Sequence, residues 1–396
     1  MNRKNYYIET DYYQVFKNRQ HVGGDVFLSN KNHGNNRIVS VLADGLGSGI
    51  KANVLATLTT SMASCFITNQ MNIKKTASII METLPVCKKR KIGYSTFTIV
   101  DMETDGTTKI LEHDNPDFIL VRNNKIVEVS KDEIFLETTQ NRKSKLKYSN
   151  LKILPEDRII FFSDGVTQSG LGKRTSPLGW GLENLKKYIN EICNNEEISA
   201  RELAKKIVKT ALKNDNGKAA DDITCGVIYF RKPRELLLVS GPPYNKEDDP
   251  EYARRVENFS GKKIICGGTS ANIVARELNK KIKVDLKNIN NNETIPPIAD
   301  MKGIDLITEG TITLSKLKQI LERYTNPEEI TEKSLSRLTN LILNSDRIKF
   351  LVGTKINEAH QDPKLPQELE IRRNLIKRIS SILSNKFNKE TDINFI

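Results

Sequence analysis

Histidine is scarce in this chain of 396 residues. It occurs only at His21, His33, His113 and His360, with no HExxH or similar ligand spacing, which makes zinc a poor choice of metal. The five cysteines (Cys65, Cys87, Cys193, Cys225, Cys266) are odd in number and never form CxxC. That fits reduced thiols, mostly in the core, better than a disulfide framework or a zinc knuckle. No run of about 18 or more apolar residues occurs, so no transmembrane helix is expected. The polar start MNRKNYYIETDYYQ lacks the apolar stretch of a signal peptide, and the expected location is cytoplasmic, with no membrane partner. An arginine-rich tract and interleaved aromatics are also missing. The net charge of +13 comes from Lys and Arg scattered along the chain, often beside Glu on helices, so nucleic acid is a poor fit as partner. An acidic or phosphorylated protein partner is the milder reading of that charge.

What is present is a set of four short acidic motifs, each at the end of an apolar run. They are GGDVF (Asp25), VSVLADGLGSG (Asp44, Gly45), IIFFSDGV (Asp164) and AADDITCGVIYF (Asp221, Asp222). Single aspartates at strand ends, far apart in sequence, can be folded into one cluster for hard divalent cations. Carboxylates and a backbone carbonyl suit Mg²⁺ or Mn²⁺, which prefer oxygen ligands and keep several waters. Two such ions roughly 3.5–4 Å apart lower the pKa of a bridging water and clamp the oxygens of a phosphate during in-line displacement. The set therefore points to a metal-dependent hydrolase that needs no protein nucleophile. The plainer reading of each aspartate is a helix N-cap or a turn former, with Asp44 capping the next helix and Asp222 a turn residue beside Asp221.

The chain divides near residue 235, giving expected domains over 1–234 and 235–396. In the first, β-like runs (DVFLS, RIVSVLAD, YSTFTIVDM, DFILVRNNKIVEV, DRIIFFSDG, ITCGVIYF) alternate with two helical pairs. One pair follows the DGLGSG loop, as IKANVLATLTTSMASCFITN and IKKTASIIMETLPV. The other, LENLKKYINEIC and SARELAKKIVKTALKN, lies between the third and fourth acidic motifs. Turn residues at TDG, RNNK and LPED suit hairpins, so an α+β sandwich with helices stacked outside the strands is expected.

The order GD, ADGLGSG plus helix, SDG, and DDIT plus a terminal strand resembles one family over residues 20 to 230. That family is the phosphatase domain of stage II sporulation protein E and its relatives, a bacterial branch of the metal-dependent type 2C Ser/Thr protein phosphatases. The resemblance implies an αββα sandwich, two Mn²⁺ or Mg²⁺ ions, and catalytic roles for Asp44, Asp164 and Asp221. By the same resemblance Asp44 bridges the two ions, the Gly45 carbonyl ligates one, and Asp164 and Asp221 hold the other. Asp25 stands where the family has an acidic residue acting on the metal site, partly through water. The animal members read DGHG in the second motif, where this chain has Leu46, so the general acid is left unassigned. The loop leads into two helices that act as a switch in the family. The implied substrate is a phosphorylated regulatory protein, such as an anti-sigma-factor antagonist, and a homodimer is left open. A binding protein that keeps the fold without activity is the alternative.

The second part alternates LLLVS, KKIIC, KIKVDL, GIDLITEG, RIKFLVG and DINFI with five amphipathic helices, which argues a smaller doubly wound, mostly parallel α/β domain. Such sheets bind ligands at the carboxyl ends of their strands. In IICGGTSANIVAREL, residues Gly267, Gly268, Thr269 and Ser270 fall between a strand and a helix N-terminus, which suits an anion or phosphate. A nucleotide-binding enzyme centred on GGTS is a further alternative, and a tight βα turn with a capping Thr or Ser is the plainer one. The loops GPPY, TEG and VGTKINEAHQDP, the last with His360 and Asp362, are expected at the same edge.

Overall fold

A computed structural model describes residues 6–32, 37–84, 95–138, 142–173, 176–195, 198–284, 299–323, 333–355 and 367–396. The chain forms two compact units, Met1–Lys232 and Pro233–Ile396.

The first unit begins with strands β1 (Tyr7–Val15), β2 (Asp25–Asn32) and β3 (Arg37–Gly45), then helices α1 (Ile50–Thr68) and α2 (Ile73–Thr83). Next come β4 (Ser95–Glu103), β5 (Thr107–His113), β6 (Ile119–Arg122), β7 (Lys125–Val127), β8 (Asp132–Thr138), β9 (Arg142–Lys152) and β10 (Arg158–Phe162). It closes with α3 (Asp164–Thr167), α4 (Leu182–Asn195), α5 (Ala200–Asn214) and β11 (Ile223–Arg231). Two antiparallel sheets result, ordered β2-β3-β4-β5-β9-β8 and β1-β11-β10-β6-β7.

The unbroken apolar run of β3 follows from burial on both of its faces. Ile38 and Leu42 join Phe161, Ile228 and Phe230 in the layer between the sheets, whereas Val39, Val41 and Ala43 meet Ala56, Ala63 and Ile67 of α1 and Ile80 of α2. The central β11 does the same, with Cys225, Val227 and Tyr229 facing Leu203, Ile207 and Ala211 of α5. This is the expected αββα sandwich, in which each buried aliphatic side chain contributes about 1.5–3 kcal/mol. Side chains set the helix starts. Asn72 Oδ1 accepts from the N–H groups of Lys74 and Lys75 to begin α2, and Ser199 Oγ accepts from Glu202 to begin α5.

Among the described residues, α1 is the one helix long and apolar enough to cross a membrane. Here it lays its small buried residues, Ala52, Ala56 and Ala63, on the sheet, and turns Ile50, Val54 and Leu58 outward. Near the start of the chain, where the sequence marked no element, YIETDYYQV is a sheet strand paired along its whole length with β11.

The second unit runs β12 (Glu235–Ser240), α6 (Asp249–Asn258), β13 (Lys262–Cys266), α7 (Gly268–Glu277), β14 (Lys283–Val284) and β15 (Ala299–Met301). It continues with β16 (Ile304–Thr308), α8 (Thr311–Arg323), α9 (Lys333–Leu343), β17 (Arg347–Val352), α10 (Gln367–Phe387) and β18 (Glu390–Phe395). The sheet order is β14-β15-β16-β13-β12-β17-β18, parallel from β16 to β18, with β14 and β15 antiparallel at one edge. Tyr252 of α6 and Val274 of α7 pack on one face, and Leu317 of α8, Leu338 of α9 and Ile379 of α10 on the other, as in a doubly wound domain. Of the expected strand KIKVDL, only Lys283–Val284 is a described strand, and it belongs to the antiparallel edge.

Candidate active site

The four acidic motifs come from neighbouring ends of the two sheets. Asp25 opens β2 and is the register partner of Asp44 near the end of β3. Asp164 opens α3 just after β10, while Asp221 and Asp222 directly precede β11, the antiparallel neighbour of β10. Two glycines let these turns approach so closely. A Cβ on Gly45 would lie 2.0 Å from the Ala52 carbonyl oxygen, and one on Gly165 would lie 2.1 Å from that of Asp222. Thus α1 presses directly on the ADG turn, and the SDG turn on the DD pair.

The carboxylates feel one another strongly. Burial, then the charges of Asp164, Asp221 and Asp222, push the Asp44 carboxyl up to about 8 against the pull of Lys17. Asp25 is only 3% exposed, and burial together with the charge of Asp44 holds it well above the usual carboxylate range. The hydroxyls of Thr224 and Ser163 pull Asp25 the other way, yet neither of its oxygens has a partner with full hydrogen-bond geometry. Asp164 is raised by burial and by Asp221, and lowered by the Gly165 N–H, Gln168 and Lys17.

The adjacent pair Asp221 and Asp222 have different surroundings. Asp222 accepts from the N–H of Lys17 at 2.9 Å and of Gly24 at 2.6 Å, one on each oxygen, and so fastens the segment before β2 to the start of β11. Asp221 is half exposed, and its Oδ1 lies 3.3 Å from Lys17 Nζ. Asp222→Asn is therefore expected to lower the melting temperature, since a buried acceptor of two N–H groups is worth about 1–3 kcal/mol. Asp221→Asn should not lower the melting temperature, since Asp221 adds to the repulsion on Asp44 and Asp164, and should raise the metal concentration needed for activity. Thermal melts and metal titrations of both variants check this, and the opposite pattern would reverse the assignment.

Lys17, Gln168, Ser163 and Thr224 escaped the sequence reading. Gln168 Nε2 donates to Asp164 Oδ2 at 2.8 Å, one helical turn along. Ser163 Oγ accepts from the Thr224 N–H at 3.1 Å, tying SDG to DDIT. These two lie inside the motifs and were findable there, whereas no local signal marks Lys17.

Among the described residues, no three Asp, Glu, His or Cys side chains are gathered closely enough to hold one metal ion. The donor set nevertheless fits hard divalent cations. It is all oxygen, it includes two orphaned buried oxygens on Asp25, and its carboxylates outnumber the one lysine beside them. A divalent cation supplies the counter-charge that this mutual repulsion lacks.

In the second unit GGTS follows β13. Gly267 has φ +132° and α7 begins at Gly268, with open space where a Gly268 side chain would project. Thr269 is exposed, whereas Ser270 is buried, and the Tyr252 hydroxyl donates to Gly241 O at 2.7 Å. The strand order reverses between β12 and β17, so GPPY and Gly353, Thr354 and Lys355 just after β17 flank the switch point and GGTS lies one strand away. His360 and Asp362 lie outside the described residues.

The family model for stage II sporulation protein E (SpoIIE) matches residues 34–231, half of the chain. Similar solved structures include the SpoIIE phosphatase domain of Bacillus subtilis in a crystal form without domain swapping. It is 17% identical, with 58% of this chain and 94% of that one covered and a TM-score of 0.44. The same organism's phosphatase domain with a fragment of its regulatory domain is 17% identical, covering 58% of this chain and 65% of that one, with a TM-score of 0.48. The RsbU and RsbW domains of a Mycobacterium tuberculosis protein are 15% identical over 64% of this chain and 69% of that one, with a TM-score of 0.45. No curated protein matches the chain. With the αββα sandwich and the ordered acidic motifs, the family match identifies this chain as a member of the stage II sporulation protein E family of type 2C serine/threonine phosphatases.

Proposed function

We propose that the first unit hydrolyses phosphoserine or phosphothreonine on a regulatory protein, using two Mn²⁺ or Mg²⁺ ions held by Asp25, Asp44, the Gly45 carbonyl, Asp164 and Asp221. The observation that carries this reading is the meeting of aspartates from four separate segments, whose burial and mutual repulsion raise Asp25, Asp44 and Asp164 together. Metal dependence is a property of the type 2C family.

When bound, the ions supply an acidified water as nucleophile and neutralise charge on the phosphate oxygens. The protein groups hold and orient. Gln168 aims Asp164, Asp222 keeps the segment before β2 against β11, and Gly45 lets α1 close on the ADG turn. Lys17 is the cation nearest Asp221 and would trade that contact for the substrate phosphate or for solvent once the ions enter. Leu46 stands where the animal members have a histidine, so that position supplies no proton to the leaving serine or threonine oxygen. The net charge of +13 favours an acidic or phosphorylated protein as substrate, and an anti-sigma-factor antagonist is of this kind.

The test is phosphate release from a phosphoserine protein with Mn²⁺, with Mg²⁺ and with EDTA. Turnover that survives EDTA would refute the metal requirement. No turnover of any phosphoprotein with either ion would favour a binding protein that retains the fold.

For residues 235–396 we propose a sensor or docking module that binds an anionic ligand through Gly267, Gly268, Thr269 and Ser270. The open space at Gly268 and the free N–H groups of the first turn of α7 support it. Gly268→Val is expected to abolish the thermal shift given by nucleotides or phosphorylated metabolites, with Mn²⁺-dependent activity retained. Equal shifts in the variant and the parent would make the module a protein-docking one.

A further inference from the structure

The sheet face beneath α1 and α2 changes character along its strands. Val39, Ile99 and Leu111 lie under the helices, and two residues further along the same faces stand Arg37 on β3, Asp101 on β4 and Lys109 on β5. The helix layer ends there at the α1–α2 connection, leaving a cavity of about 430 Å³ between that connection and the charged stretch of sheet. Such a volume is in the range of small-molecule sites, about 300–1,000 Å³.

Its walls are held in place. Arg37 grips the buried Asp101 through two parallel hydrogen bonds, Nε to Oδ1 and Nη2 to Oδ2, each 2.5 Å. The connection itself is fastened by the N–H of Met71 donating to Phe66 O at 2.9 Å, with Gln70 held at φ +66°. With Arg37 and Asp101 neutralising each other, the remaining charges are Lys74, Lys109 and Glu103. Lys109 has no ion-pair partner among the described residues, and Lys74 Nζ lies 4.5 Å above the Tyr148 ring. The positive end of α2, which begins at Ile73, adds to the cationic side. Met71, Ile73 and the Tyr148 ring supply apolar lining.

We propose that this cavity is a second binding site, for a small organic anion with a phosphate- or carboxylate-type head and an apolar or aromatic body. Lys74 and Lys109 take the head, while Met71, Ile73 and Tyr148 cover the body. The site is separate from the aspartate cluster. The first turn of α1 packs against Gly45, and its 19 residues rise about 1.5 Å each, which places the connection about 28 Å away. The inference does not depend on phosphatase activity.

Phenylphosphonate, which a phosphatase cannot hydrolyse, is a suitable probe, titrated calorimetrically into the full chain in EDTA. Binding is expected in the parent chain and equally in Asp164→Asn, and is expected to weaken about fivefold or more in Lys109→Glu and in Lys74→Glu. Benzyl alcohol, with a similar body and no charge, should bind alike in all of them. Melts without probe report whether each variant is folded, and Lys109→Gln serves if the charge reversal is not. Absence of binding, equal binding by the lysine variants, or loss of binding in Asp164→Asn would each overturn the proposal.

Discussion

Asp44→Ala is expected to lower phosphate release by about a thousandfold or more, which corresponds to about 4 kcal/mol of lost transition-state stabilisation. Asp44 has the most central position among the acids. It pairs in register with Asp25 and feels the charges of Asp164, Asp221 and Asp222. On the proposed two-ion reading Asp44 would be the shared ligand, and several kcal/mol is the usual contribution of such an arrangement. The fold should survive, because the side chain lost is one whose charge the folded protein opposes. Phosphate release at saturating Mn²⁺, with a melt on the same sample, makes the measurement. A folded Asp44→Ala chain that turns over at the parent rate would end the two-ion reading.

In EDTA, thermal stability is expected to fall as the pH rises from about 4 to about 8, and Mn²⁺ is expected to restore it most at the upper end. The folded chain holds the Asp44 proton up to about pH 8, against an ordinary value of 3.8. Between those limits the folded state binds more protons than the unfolded state, so stability is present below the window and is lost on crossing it. Asp25 and Asp164 are displaced in the same direction and add to the slope. Each pKa unit corresponds to about 1.4 kcal/mol, a sizeable fraction of a net stability of about 5–15 kcal/mol. Ions compete with these protons, so the Mn²⁺-induced rise in melting temperature should grow with pH, with protons released on binding. Asp44→Asn keeps the shape and removes the charge. It should flatten the EDTA profile, raise the melting temperature at pH 8 by several degrees, and abolish most of the Mn²⁺ increment. If the parent chain melts at the same temperature from pH 5 to pH 8 in EDTA, the clustered carboxylates do not repel as their surroundings imply.

The strongly apolar strands were legible in the sequence because they are buried on both faces. RIVSVLAD, DRIIFFSDG and ITCGVIYF became β3, β10 and β11, and helices α1, α2, α4 and α5 lie where the apolar spacing placed them. The ordered acidic motifs led to the family, since a turn that approaches another backbone needs glycine beside the aspartate, as at Gly45 and Gly165. Strand β5 was not singled out in the sequence, and strands β1, β8 and β9 were not legible. Their charged and aromatic residues alternate on partly exposed faces, and sheet pairing makes them strands, with distant β11 for β1 and with each other for β8 and β9.

By itself, then, the sequence determined the sandwich, the doubly wound second unit and the residue types at the site, because period, burial and turn chemistry are local properties. Tertiary structure alone shows how differently two adjacent aspartates are surrounded. Asp221 and Asp222 are neighbours with the same side chain, and the N–H groups of Lys17 and Gly24, about two hundred residues earlier, make one a fastening and leave the other half exposed beside the cluster. The same holds for the pKa of Asp44 and for the cavity under the α1–α2 connection. Charge repulsion and empty volume depend on distances through space, which no stretch of sequence contains.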